Sequence, residues 1–220
     1  PPADVVFDLA FAKMVVFDQG KSFATPITVP NLDDANLSAN DILRLINSGV
    51  RFNANAVPAN TYQLTSADSA FISGNAAASN LLKLVNAGLS FTHDGGYTGL
   101  SGASLTLANA TNLLSHGVNF GASNQISLSS NDLAATSLTA TATAVGNLAA
   151  AGIASFKPIA GLVTPAQVDA LSAAMHGGTL SFAAGTILQL TDTAAVDAAI
   201  LDAALWNKGI TSVNISATTI

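Results

Sequence analysis

The chain has 220 residues, of which 50% are hydrophobic and only 9% charged, with a formal net charge of −6. Such an apolar share supplies a sizeable core and argues against a disordered chain, and seven basic residues against thirteen acids argue against a surface built for nucleic-acid phosphates. The absence of cysteine excludes a disulfide framework and thiolate metal sites.

Residues 1–30 do not share the pattern that follows. Val5-Val6-Phe7-Asp8 is echoed by Val15-Val16-Phe17-Asp18, which predicts two strands around Ala12-Lys13 and hence an N-terminal β cap. Pro1-Pro2-Ala3-Asp4 lacks the basic stretch that opens a signal peptide.

From residue 31 to residue 220 the chain reads as one continuous domain of repeats. Helices are predicted at about 39–48, 76–87, 108–116, 139–151, 165–176 and 194–208, each ended by a glycine: Gly49, Gly88, Gly117, Gly152, Gly178 and Gly209. In the first, Ile42, Leu43, Leu45 and Ile46 fall on one apolar face. A strand then opens, with Phe52, Phe91 and Phe120 three residues after the glycine, Phe156 and Phe182 four after it, and Val213 in the last copy. Such phenylalanines read as core, stacked rung on rung. A second strand follows, as in Tyr62-Gln63-Leu64 or Ile126-Ser127-Leu128, and then a Ser, Thr, Asp or Asn where a helix cap belongs.

The intervals between successive glycines of this series alternate long and short. Leu64, Leu128 and Leu190 form an independent landmark that recurs at nearly the same doubled interval. The unit is therefore a pair of about 60 residues, and the expected fold is an α/β repeat solenoid of about three strand-loop-strand-helix double repeats. One strand per helix would curve such a stack, since strands repeat at about 4.8 Å and helices at about 8–10 Å; two strands per helix in one sheet would leave it flat. Both geometries remain open. No segment stays apolar for the roughly 18 residues a membrane helix requires.

Few side chains suggest chemistry. His116 and His176 sit at helix ends, where imidazole suits the free carbonyls, and His93-Asp94 lies in the turn His93-Asp94-Gly95-Gly96-Tyr97. No nucleophile elbow, phosphate loop or HExxH motif occurs, so no catalytic residues are expected and the chain reads as a non-enzyme. All thirteen acids are Asp, a residue of caps, turns and calcium loops. Asp33 and Asp34 beside Asn31 and Asn36, Asp132 after Ser130-Asn131, and Asp192 form the candidate calcium ligands, with no other cofactor expected. Tyr62, Tyr97 and Trp206 are far apart, which speaks against a sugar-stacking platform.

The phrases Asn-Leu-Leu-Ser-His-Gly-Val-Asn-Phe, Leu-Lys-Leu-Val-Asn-Ala-Gly-Leu-Ser-Phe and Leu-Gln-Leu-Thr-Asp-Thr-Ala-Ala resemble the degenerate Ala/Leu/Thr-rich repeats of large secreted and surface-associated bacterial proteins. They also resemble leucine-rich repeats loosely, without that family's asparagine-ladder consensus. The resemblance implies an extracellular structural or adhesive module that self-associates or contacts surface proteins and glycans. A carbohydrate- or protein-binding domain, or an accessory domain of a larger secreted enzyme, is the alternative.

Overall fold

Among the described residues, strand pairing runs in one direction only. In a computed structural model, which describes residues 7–33, 36–56, 59–134, 136–158, 162–174, 179–180, 187–190 and 212–215, every strand pair is parallel. Parallel partners cannot be joined by a tight hairpin, so a crossover must lie between them, and each described crossover contains a helix. The result is a mixed α/β protein of small open sheets. It divides into two compact units, residues 1–101 with 112–119, and residues 102–111 with 120–220.

The first unit begins with helix α1 (Leu9–Lys13), which runs directly into a π-helical turn at Met14–Asp18. This corrects the expected β cap: Val15-Val16-Phe17-Asp18 is helical, and Val5 lies outside the described residues. Two features override the echo. Asp8 accepts the Phe11 N–H at 2.7 Å as a helix cap, and Leu9, Ala12 and Val16 recur at helical spacing and are buried. Strand β1 (Ile27–Val29) follows, so the parallel pairing begins inside the segment assigned to the cap.

β1 pairs with β2 (Val50–Phe52), placing Ile27 beside Val50 and Val29 beside Phe52. Between them helix α2 (Ala39–Asn47) buries Ala39, Ile42, Leu45 and Ile46. β3 (Thr61–Leu64) pairs with β4 (Ser90–His93), Tyr62 beside Phe91, with helix α3 (Gly74–Asn86) between them.

In the second unit β5 (Ser104–Thr106), β6 (Gln125–Leu128), β7 (Ser155–Pro158) and a strand at Thr179–Leu180 form one four-stranded sheet. Leu105, Ile126 and Phe156 make a buried row across it. Burial of a side chain like Phe156 stabilises by about 2–3 kcal/mol. A second sheet joins Leu162–Val163, Ile187–Leu190 and Ser212–Ile215. Helix α4 (Leu107–Ser115) lies between β5 and β6 in the chain, α5 (Leu138–Ala150) between β6 and β7, and α6 (Pro165–Ala174) after Val163. Each of α2 to α6 lies within two residues of its predicted bounds, whereas 194–208 falls outside the described residues. Val118-Asn119-Phe120, expected as a strand, is reduced to a single bridging residue at Phe120; Val118 and Phe120 are still buried.

One contact recurs between a glycine at a helix end and the carbonyl of an earlier phenylalanine. A Cβ placed on Gly49 would meet the Phe23 carbonyl oxygen at 3.0 Å, and one on Gly152 would meet that of Phe120 at 2.6 Å. Gly88 faces the Phe52 carbonyl, and Gly117 that of Phe91, more closely still. The same four glycines have φ between +87° and +101°. Only glycine combines that backbone conformation with so near an oxygen. A hydrogen bond accompanies the contact: the N–H groups of Phe23, Phe52 and Phe91 donate to the carbonyls of Ser48, Ala87 and His116, the residues just before the glycines, at 2.7–2.8 Å. The series thus starts with Phe23, one member earlier than the glycine spacing implies.

Candidate functional site

Among the described residues, one polar cluster of the first unit lies around β3 and the loop after β4. Asn60 precedes β3 and is buried. Its side-chain oxygen accepts the Leu32 N–H at 2.6 Å, and its amide donates to the carbonyls of Asn53 (2.9 Å) and Pro30 (3.3 Å). A buried amide with all these backbone partners ties the start of β3 to the loop residues Pro30, Leu32 and Asn53. Asn124, before β6 in the second unit, does the same: its oxygen accepts the Ala103 N–H at 3.0 Å and its amide donates to Gly121 at 2.7 Å. Asn53 and Gly121 each directly follow a phenylalanine of the series. One asparagine device is thus used once in each unit, a role that the sequence reading missed.

Thr65 and Asp68 follow β3 as a capping box. Asp68 Oδ2 accepts from the Thr65 N–H at 3.0 Å and its hydroxyl at 3.2 Å, while Thr65 Oγ1 accepts from Ala67. The other Asp68 oxygen accepts the Tyr62 hydroxyl at 3.3 Å. Burial, and then the adjacent Asp68 carboxylate, push the Tyr62 phenol up to about 12. Tyr62 lines a 580 Å³ cleft with Leu32, Leu37, Asp33 and Gln63.

The loop after β4 is held from several sides. Asp94 donates its N–H to Leu64 O at 3.1 Å, and its Oδ1 accepts the Gly96 N–H at 3.0 Å. The carboxylate therefore shapes the turn. His93 stacks on Tyr97 with ring centroids 5.4 Å apart, and its Nε2 meets the Asn119 amide nitrogen at 2.6 Å. The Tyr97 hydroxyl donates to Asn119 O at 3.4 Å, and burial raises this phenol to about 12. His93 and Asp94 thus serve different partners.

Two of the expected metal ligands, Asp33 and Asp132, fall among the described residues. Asp33 is exposed on the cleft, whereas Asp132 is a capping residue whose Oδ2 accepts the Ser129 N–H and hydroxyl, both at 2.6 Å. Asp34 and Asp192 lie outside the described residues, as do His176, Gly178, Phe182, Trp206 and Gly209. Among the described residues no three of His, Asp, Glu or Cys gather as a metal-binding group. His116 Nδ1 meets the Asn112 carbonyl in the last turn of α4 at 2.8 Å. Phe52, Phe91, Phe120 and Phe156 are buried. No helix among the described residues is long and apolar enough to cross a membrane. Comparison of the chain with protein families, with curated proteins and with solved structures finds no match.

Proposed function

We propose that the chain is a non-catalytic structural or adhesive repeat module of a secreted or cell-surface protein. Its coils stack as an α/β solenoid, and it acts by self-association or by contact with other surfaces. The observation that carries this reading is the glycine under the phenylalanine carbonyl, repeated four times with one geometry. A contact of that kind at four successive glycines supports a stack in which each coil takes an equivalent position on its neighbour.

Surface chemistry supports the contact role. In the four-stranded sheet Ser104, Gln125, Ser155 and Thr179 fall in one register row, and Thr106, Ser127 and Lys157 in another. Ser104 and Thr106 are exposed, and Gln125, Ser127, Ser155 and Lys157 are partly so. Hydroxyl and amide groups, with the Lys157 ammonium in the second row, form a hydrogen-bonding face at a rung spacing of about 4.8 Å.

Light scattering after size exclusion, across protein concentrations and in calcium and then chelator, tests the proposal. Growth beyond the monomer mass is expected. A mass that stays monomeric throughout, together with no retention on cell-wall or glycan surfaces, overturns it. Growth in calcium alone would assign assembly to the Asp-rich turns.

A further inference from the structure

We infer that the cleft beside β3 is a binding site for a neutral oligosaccharide, with Tyr62 as its anchor and Asp33 and Gln63 as its hydrogen-bonding groups. The cleft holds 580 Å³, within the range of about 300–1,000 Å³ typical of small-molecule sites. Leu32 and Leu37 supply its apolar surface, and among the described residues the tyrosine is the one aromatic that lines it. Sugars present both faces that such a site needs: patches of C–H groups that lie against an aromatic ring, and a rim of hydroxyls.

Tyr62 is already fixed for that task. Its hydroxyl is tied to Asp68, which is buried and held in turn by two bonds from Thr65. A ring positioned before the ligand arrives loses little entropy on binding. The scaffold does not itself demand tyrosine here, since the equivalent place in the second unit is taken by the fully buried Ile126. Asp33 and Gln63 are both exposed, the carboxylate accepting hydroxyl protons and the amide both donating and accepting.

Ligand charge follows from the lining. Among the described residues it contains one carboxylate and no Lys, Arg or His, so a phosphate, sulfate or uronate is repelled. A simple polyamine would pair with Asp33 yet gain nothing from Tyr62, Leu32 and Leu37 together. A neutral sugar uses every group.

Saturation-transfer NMR on the intact chain tests the inference, with cellotetraose, chitotetraose, mannotetraose and xylotetraose as probes and spermidine and heparin tetrasaccharide as controls. Transfer to at least one neutral tetrasaccharide is expected. Gln63→Ala and Asp33→Asn should each weaken that binding about tenfold, as loss of one charge-assisted or two neutral hydrogen bonds does. Both positions are exposed, so the melting curve should stay unchanged. Tyr62→Ala should abolish binding, and Tyr62→Phe, which keeps the ring but frees it from Asp68, should weaken it. Absence of transfer to all four neutral probes overturns the inference. So does binding that survives both Gln63→Ala and Asp33→Asn, or binding of the controls alone.

Discussion

Asn60–Asp68 in the first unit and Asn124–Asp132 in the second are the same device with one exchanged part. Both begin with a buried asparagine, place a fully buried leucine (Leu64, Leu128) four residues on, and close with a Thr/Ser-to-Asp bond. At the third position they part. Tyr62 is half-buried and its hydroxyl reaches Asp68, whereas Ile126 is fully buried within a sheet row. Backbone stitching is thus separable from the side chain displayed on it. The same local frame displays a side chain in one unit and buries one in the other.

The largest test of that common frame uses the glycines beneath the preceding phenylalanines. Gly88→Ala and Gly152→Ala should each cost about 3 kcal/mol or more, lowering the melting midpoint by about 6–12 °C. A Cβ there meets a backbone oxygen, Phe52 in one case and Phe120 in the other, at positive φ. Gly95→Ala is the control, with open space around its Cβ and an expected change within about 0.5 kcal/mol. A wild-type melting curve for either variant of the series would break the equivalence.

Asn60→Ala and Asn124→Ala come next, at about 1–3 kcal/mol each, because both strand a backbone N–H and carbonyl that are partly or wholly buried. Denaturant titration of both variants measures this, and equal losses would sharpen the parallel. Asp68→Ala and Asp132→Ala should cost about 1 kcal/mol as lost capping bonds. Asp68→Ala should show the larger loss, since it also releases Tyr62.

The smallest effect separates the two segments by pH. The folded-state phenol of Tyr62 lies near 12, above its ordinary value of about 10. Its contribution is therefore full below pH 10 and is lost as pH rises from about 10 to 12, where the unfolded chain gives up its proton first. Tyr97 titrates in the same window, and these two are the tyrosines of the chain. Tyrosinate absorbance should therefore stay low through pH 11. Tyr62→Ile, which copies the second segment, should leave a shallower alkaline loss of stability; an unchanged slope would show that Tyr97 alone carries it.

Much of the frame is legible in the residue order because helix ends are local. Asn47-Ser48-Gly49 or Asn86-Ala87-Gly88 announces its own termination, and α2 and α3 stop where these residues stand. Interactions between segments distant in sequence are less visible. Asn60 looks like a turn residue until Leu32, 28 positions earlier, is placed against it. A signal was present: Asn60 and Asn124 stand at one common offset before Leu64 and Leu128, on the repeat's own interval. The Tyr62 cleft had no such mark, since its other walls come from Leu32, Asp33 and Leu37. At the N-terminus a repeated tetrapeptide outweighed the helical spacing of Leu9, Ala12 and Val16, which packing then enforced.

Parallel pairing between near neighbours in sequence also has a mechanical meaning. Ser104 pairs with Gln125 and Gln125 with Ser155, with a helix and its loops between the partners each time. Breaking one such pair frees only the chain between its strands, so each rupture releases about 70–110 Å of slack. Tension on the protein would then be met by a succession of modest yields, each able to re-form, before any single event consumed the whole molecule. A tether exposed to shear benefits from giving way in stages.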